Sequence, residues 1–369
     1  MIRILHVMGC SDAGGISSVV RTFYEFIDRS RFHFDIALTV PQQGQNSLAL
    51  QEMGAKIFFI PMKGQDRQGY CRELEKILVE GHYDGIHVHE SETCYVALRL
   101  AKKLGIPCRI AHAHITAPYE GIKSMLRRWS GCLLNYPYAS RVIGCGQLAG
   151  ERIFGKWNMK RSRAAVLANA VDLERFTFSE QIRQAMRREL GVEDRFVLGM
   201  VARLDYQKNI PFALELMAAL REKLPQAVLL IAGNGQDEEM LREKIHALGL
   251  EDRVRLLGRR SDVNRLYQAF DLLLLPSLFE GYPVVAVEAL ACGLPVLLSD
   301  RITGELKAAP GACYLSLKKQ QPWIDAVCSW QKDENRMQRQ QAVRKLPLDI
   351  RDCTRRLEQI YEEDVAAGK

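Results

Sequence analysis

No C-x-x-C pair occurs among the ten cysteines of this 369-residue chain. A zinc ribbon or a thioredoxin-type redox motif is therefore excluded, and Cys108, Cys145 and Cys292 sit in apolar runs that suit buried thiols in a reducing compartment. No apolar stretch approaches the ~20 residues of a membrane span. The opening MIRILHVMGC runs straight into a strand pattern and carries no leader-like architecture, so a cytoplasmic location is expected. There is no P-loop, no nucleophile elbow and no G-x-G-x-x-G, which removes the commonest nucleotide-hydrolase, esterase and dinucleotide signatures. No nucleic-acid module is visible, so nucleic acid is not an expected partner.

What is present is an ordinary globular composition, 47% apolar, in a chain too long for one core. Short apolar runs alternate with helical spacing from end to end. Strands are expected at Arg3–Met8, Phe34–Val40, Lys56–Ile60, Gly85–His89, Cys108–His114, Arg141–Cys145 and Ala164–Leu167, with helices at Ile16–Ile27, Arg72–Glu80, Thr93–Leu104 and Lys123–Leu134. After a charged helical connection at Arg175–Glu193 the alternation restarts, through strands at Phe196–Val201, Val228–Ala232, Val254–Leu257, Asp271–Leu275 and Leu294–Ser299. Strand–helix alternation specifies a parallel, doubly wound α/β sheet. Two such domains are expected, with the boundary near Asn169.

The densest unit is DLLLLPSLFEGYPVVAVEALACGLPVLLSD, Asp271–Asp300. It reads as buried strand, loop, helix, strand, with Pro283 suited to the first helical position and Gly293 to the end. Glu280 lies in the loop and Glu288 on the helix, eight residues later. Ligands of open parallel sheets bind outside the carboxyl ends of the strands, and the helix start at Gly281–Val284 suits an anion. Either glutamate could equally be an ordinary solvated acid. Arg203 and Lys208 follow another strand end, where a guanidinium fork and an ammonium could share a diphosphate. Gly14 and Gly15 open a helix after the first strand, and Gly233 and Gly258 mark further strand-end turns. Two H-x-H pairs, His87/His89 and His112/His114, end strands. Zinc is an alternative for four imidazoles at one edge, but no carboxylate or cysteine completes a set, and no metal site is assigned. The expectation is that one histidine per strand reaches the ligand while the other packs. His114, nearer the loop, is the expected substrate contact, with His112 the alternative.

Net charge is +7, and the excess is local. Lys123, Arg127, Arg128, Arg141, Arg152, Lys156, Lys160, Arg161 and Arg163 lie between Gly121 and Ala165 against Glu151 alone, with Trp129, Tyr136, Tyr138 and Trp157 among them. Such a mixture suits an anionic membrane surface or an anionic substrate, or else a solvated basic face.

Taken in order, these elements resemble the retaining glycosyltransferases of family four. Glu280-x7-Glu288 within FEGYPVVAVEALACGLPV is similar to the family's E-x7-E element, Arg203-x4-Lys208 to its R-x4-K, and Gly14-Gly15 to its N-terminal glycine pair. LLGRRSDV at Leu256–Val263 and LANAVDLERF at Leu167–Phe176 also fit, and ITGE at Ile302–Glu305 resembles bacterial exopolysaccharide and capsule enzymes. Ala202 stands where glycine is frequent, and ANAVD replaces the commoner NGVD. The resemblance implies the GT-B fold: two Rossmann-like, doubly wound domains facing across a cleft. Residues 1–169 plus 349–369 would form the N-terminal acceptor-side domain, since the family's last helix returns there, and 170–348 the nucleotide-sugar domain.

By that resemblance Glu288 binds the donor ribose and Glu280 the donor sugar. Arg203 and Lys208 hold the diphosphate with Gly14 and Gly15, and Gly281, Tyr282 and Val284 offer backbone N–H groups. Gly233 and Gly258 line the donor, and His114 lies near the reacting sugar. Glu280, His114, Arg203 and Lys208 are the expected catalytic residues. The implied activity is metal-independent, retaining transfer of a hexose or N-acetylhexosamine from a nucleotide diphosphate sugar, with a UDP-sugar the expected donor. The acceptor would be a glycan or lipid-linked sugar in cell-surface polysaccharide synthesis. No cofactor is expected, because the nucleotide sugar is a substrate. The enzyme would be cytoplasmic and peripheral at the inner face of the plasma membrane. A non-catalytic nucleotide-sugar-binding subunit and a GT-B nucleotide-sugar epimerase are the alternatives.

Overall fold

The computed structural model describes residues 1–9, 15–40, 44–114, 121–331 and 335–368, with the side chains of 121–124 and 127–128 set aside. The chain divides into two compact units, Met1–Asn169 with Ile350–Lys369, and Ala170–Asp349. Asp349, assigned from sequence to the first domain, belongs to the second, where it bridges to Val171.

The first unit is a seven-stranded parallel sheet: β1 (Ile2–Met8), β2 (Phe32–Leu38), β3 (Ile57–Phe59), β4 (Gly85–Val88), β5 (Cys108–Ala113), β6 (Arg141–Gly144) and β7 (Ala164–Val166), in the order β3-β2-β1-β4-β5-β6-β7. Its central strands are apolar on both faces, as a sheet covered by helices requires. Leu5, Val7, Ile86, Val88, Ala111 and Ala113 pack with Leu74, Leu78 and Leu98 from helices Arg67–Gly81 and Tyr95–Lys103. The first of these helices starts a turn earlier than its apolar spacing indicates, because the Asp66 carboxylate accepts from Gly69 N at 2.7 Å and caps it. The last helix, Ile350–Ala366, returns to this unit. It buries Cys353, Leu357, Ile360 and Tyr361, and Asp364 fastens it to Arg141 at 2.7 Å and to the Ser140 hydroxyl at 2.6 Å.

The second unit has six parallel strands: β8 (Phe196–Val201), β9 (Ala227–Ala232), β10 (Val254–Gly258), β11 (Leu272–Leu275), β12 (Val296–Ser299) and β13 (Ala312–Leu315), in the order β10-β9-β8-β11-β12-β13. Leu198, Met200, Leu229, Ile231, Leu274 and Leu297 form its core with Leu214, Met217 and Trp323. The connecting helix is shorter than its charge pattern suggests, running Glu180–Leu190 between the Ser179 cap and Gly191 in the left-handed conformation. Helices Gln45–Glu52, Gln147–Phe154 and Gln321–Trp330 had no counterpart in the sequence pattern.

Both sheets reverse their winding once, between β1 and β4 in one unit and between β8 and β11 in the other. These are the switch points at which ligands of doubly wound folds bind, beyond the C-terminal ends of the strands.

Candidate active site

In the second unit the segments leaving β8 and β11 meet at the switch point. Leu278 N donates to Gln207 O at 2.8 Å, and the Gln207 amide donates to Phe279 O at 2.9 Å and to Glu280 Oε2 at 3.3 Å. Asn209, in the left-handed conformation, ties the same loop to Pro276 O at 3.1 Å. Lys208 Nζ lies 2.5 Å from Glu280 Oε1. Both side chains are largely withdrawn from solvent, at 14% and 11% exposure, so the pair is a partly buried ion pair at a strand edge. Removing Glu280 would take from Lys208 the carboxylate it is paired with. Glu280 is not in a free loop as expected but bridges to Ile302, in the ITGE segment.

Glu288 stands on the helix Val284–Ala291, and Tyr267 OH donates to its Oε2 at 2.7 Å. Burial, and then the adjacent carboxylate, raise the Tyr267 pKa well above the usual phenol value, so it stays a donor. Pro283 is the N-cap of this helix, not its first residue. The first intrahelical bond runs from Ala286 N to Pro283 O, so the Val284 and Val285 amides precede it. Gly281 and Tyr282 are buried and Val284 half-buried.

Arg203 and Lys208 have different partners. The Arg203 side chain is 53% exposed and pairs with Asp205 at 2.9 Å, whereas Lys208 is committed to Glu280. The two cations are not held together around a common point. Gly233 has φ +142°, and a Cβ there would lie 1.8 Å from Ala202 O, so this glycine is demanded by the fold itself. Gly258 ends β10 at an irregular register with φ +67° and open space where a Cβ would stand, which leaves room for a flat group. A 570 Å³ cavity lies at the opposite, N-terminal edge of this sheet, lined by Arg183, Arg187, Asp271, Arg336 and Arg339. Its arginines are spent on Asp271 and on backbone carbonyls, which marks it as structural.

In the first unit, Gly15 begins the helix Gly15–Phe26, exposed and with open space around it, while Gly14 lies outside the described residues. The histidines behave differently from expectation. All four of the H-x-H residues turn to one side of β4 and β5, which are neighbours, and His6 of β1 joins them. His87 Nε2 lies 3.1 Å from His112 Nδ1, His89 Nδ1 2.8 Å from His114 Nε2, and His6 Nδ1 3.0 Å from His89 Nε2. Tyr361 OH lies 2.8 Å from His87 Nδ1 and 3.4 Å from His6 Nε2. His6, His87, His89 and His112 are buried and His114 half-buried. Desolvation lowers the pKa of His6 and of His114 to about 3, and holds His87, His89 and His112 well below the usual value. All five are neutral at pH 7.

Two triads, His6/His87/His89 and His89/His112/His114, bring possible ligand atoms within 4.8 Å of one another. The bonded nitrogens are 2.8–3.1 Å apart. Ligands of a tetrahedral zinc with ~2.05 Å bonds would stand roughly 3.3 Å apart. The rings are hydrogen-bonded to one another, a spacing that fits imidazole pairs better than a metal cage.

Gln207, Tyr267, His6 and Tyr361 were missed in the sequence. Gln207 lies inside the R-x4-K element and His6 inside the first strand run, so position alone could have raised them. Nothing in the sequence marks Tyr267 or Tyr361. A further group at the edge of β4 was also missed: Glu90 Oε2 accepts from Lys63 Nζ at 2.6 Å and from Tyr70 OH at 2.7 Å.

The basic stretch is divided by the fold. Arg141 is consumed by Asp364 and Glu363, and Tyr136 is buried with Arg163 over its ring at 4.2 Å. Met125, Leu126, Trp129 and Leu133 are exposed at helical spacing on Gly121–Tyr138, Trp129 at 62%, and Trp157 is exposed at 73% beside exposed Lys156, Lys160 and Arg161. Among the described residues, no helix is long and apolar enough to cross a membrane.

Residues 13–175 match the model of Glycosyltransferase Family 4, and residues 182–311 that of Glycosyl transferases group 1. A putative glycosyltransferase EpsF of Bacillus subtilis is 32% identical over 84% of this chain and 82% of its own. A UDP-Gal:alpha-D-GlcNAc-diphosphoundecaprenol alpha-1,3-galactosyltransferase of Escherichia coli is 27% identical over 81% and 79%. Among solved structures, HepE of Anabaena in complex with UDP-glucose superposes with a TM-score of 0.81 at 20% identity, covering 98% of this chain and all of that one. A sucrose-phosphate synthase of Thermosynechococcus elongatus gives 0.76 at 17%, covering all of both chains. With two Rossmann-like units, an ion-paired acid at one switch point and a relative of this similarity over most of its length, the chain belongs to glycosyltransferase family four and has the GT-B fold.

Proposed function

We propose that this glycosyltransferase moves a hexose or N-acetylhexosamine from a UDP-sugar to a glycan or lipid-linked acceptor in cell-surface polysaccharide synthesis, retaining the anomeric configuration and using no metal. The observation that carries this reading is the meeting of Lys208 and Glu280 at the β8/β11 switch point, one turn before a helix that holds Glu288. Along that segment the donor would find Glu288 for the ribose hydroxyls, the Val284 and Val285 amides for phosphate oxygens, and Glu280 for the sugar. Lys208 would transfer its contact from Glu280 to the diphosphate when the donor arrives. The exposed Arg203 would turn from Asp205 to the same group. Together these stabilise the charge that develops as the sugar–phosphate bond breaks, the task a metal performs elsewhere. The acceptor oxygen would attack from the face the phosphate leaves, and its proton would pass to the departing phosphate oxygen. His114 would contact the substrate.

The activity of the Escherichia coli relative, with a UDP-Gal donor and a diphosphoundecaprenol-linked acceptor, supports a UDP-sugar and a lipid-linked partner. The apolar stripe Met125, Leu126, Trp129 and Leu133, with Trp157 and its lysines, supports peripheral attachment to the anionic inner face of the plasma membrane. Flotation with anionic and neutral liposomes tests the attachment, and equal partitioning would sink it. For the reaction itself, the chain is screened for thermal stabilisation by nucleoside diphosphates and their sugars with chelator present. The product's anomeric configuration is then read by NMR. No stabilisation by any UDP compound, or an inverted product, overturns the proposal.

A further inference from the structure

The buried rings of the first unit form an unbranched series. From one end it runs His112, His87, Tyr361, His6, His89, His114, and each internal ring nitrogen is used once. The one left over inside the protein is His112 Nε2, which is buried and has no partner. A neutral imidazole has one N–H and one lone pair, and a phenol has one proton to give. A proton position chosen at any member therefore sets its neighbour, and two uniform arrangements exist. In one, all five histidines are protonated on Nδ1; in the other, all five on Nε2. Every internal hydrogen bond is made in both. They differ at the ends: the Nε2 form leaves His112 with a buried N–H that bonds to nothing, and the Nδ1 form leaves it with a bare lone pair. Orphaned buried N–H groups are the rarer defect in proteins.

We infer that the series has a single polarity, with every histidine protonated on Nδ1, so that His114 offers an N–H to whatever binds beside it. The protons point from His112 to His87, to the Tyr361 oxygen, from Tyr361 to His6, and on through His89 to His114 Nε2. His114 Nδ1–H is the free end. Resting on the proposed role of His114 as a substrate contact, this deepens it: His114 donates to a hydroxyl or phosphate oxygen and does not take the acceptor's proton. Its low basicity agrees. His6, His87, His89, His112 and Tyr361 are then positioning residues that act through His114.

The test is a two-bond proton–nitrogen NMR correlation on the full chain labelled with ¹⁵N-histidine, assigned by single His→Gln variants. All five histidines are expected to show the Nδ1–H pattern at pH 7, and an Nε2–H or averaged pattern at His114 overturns the inference. Tyr361→Phe keeps the packing, which its thermal transition checks, and removes the link. His87 and His112 must then orphan one N–H whichever way they point, so their patterns average while those of His6, His89 and His114 stay. Unchanged spectra at His87 and His112 would break the series at Tyr361. Neither spectrum requires turnover, so absence of sugar transfer would remove the functional proposal and leave this one standing. Where transfer is measured, His114→Gln, which restores an N–H, should exceed His114→Phe by about tenfold. Equal rates would overturn the donor role.

Discussion

The two units are built alike, but their switch points carry different chemistry. Each is a parallel sheet with one switch point. In the second unit that point holds ions: Lys208 against Glu280, Arg203 against Asp205. In the first, beside the Lys63–Glu90 pair, it holds five imidazoles that desolvation keeps neutral. A shared architecture therefore does not set the chemistry of its ligand edge. Charge suits a diphosphate whose own charge grows during reaction, and neutral donors suit hydroxyls, which need orientation more than compensation.

The sharpest way to break this contrast is at Glu280. Glu280→Gln keeps the shape and loses the charge, and sugar transfer should fall on the order of 10²–10³-fold while UDP still stabilises the chain. A loss under about threefold in a radiolabel transfer assay would show that the ion pair is structural.

Glycines give the next largest difference. Gly233→Ala in the second unit drives a Cβ into Ala202 O and should cost roughly 3 kcal/mol or more by urea unfolding. Gly15→Ala in the first meets nothing and should stay within about 0.5 kcal/mol.

Acid should separate the units by stability. The folded pKa of His6 is depressed to about 3 from 6.5. Above pH 6.5 both folded and unfolded forms are neutral and the shift has no effect. As pH falls from 6.5 towards 3, only the unfolded chain takes the proton, so stability is lost by up to about 1.4 kcal/mol per pH unit from this residue alone. Urea midpoints at pH 7.5 and 5.5 should show the first unit weakening more than the second. Parallel losses would mean that the imidazoles are not buried as neutral groups.

A modest effect on binding is expected at Tyr267→Phe. Losing its bond to Glu288 should weaken UDP binding by about 0.5–1.5 kcal/mol, read by calorimetry, with kcat little changed. Unaltered affinity would leave Glu288 oriented by something else.

How much of this the sequence disclosed depended on what kind of contact was involved. Continuous apolar runs gave the strands of both sheets to within a few residues, because burial on two faces leaves an unmistakable composition. Glu280 and Glu288 were legible because one strand–loop–helix unit carries both, so their spacing is fixed locally. The pairing of Lys208 with Glu280 was not, since its partners are 72 positions apart and are joined only by the β8/β11 crossover. The H-x-H pairs were visible and share one face as their spacing indicates, with His112 packed and His114 more open, but in β4 both His87 and His89 are buried. Period two put each pair on one face, but only the neighbouring of β4 with β5, and of β1 with β4, makes that face a closed interior. Short helices such as Gln147–Phe154 escaped because eight residues hold too few turns for periodicity to register.

The order in which the parts of the first unit appear during synthesis is unusual. His87 waits for Tyr361, 274 positions later, and Arg141 waits for Asp364. The whole second unit is made in between. The unit that leaves the ribosome first is thus completed last, and until its closing helix arrives its imidazoles stand at an unfinished wall, open to water and to protons. A chain cut short before residue 350 would carry an intact second unit and a first unit unable to seal its own interior.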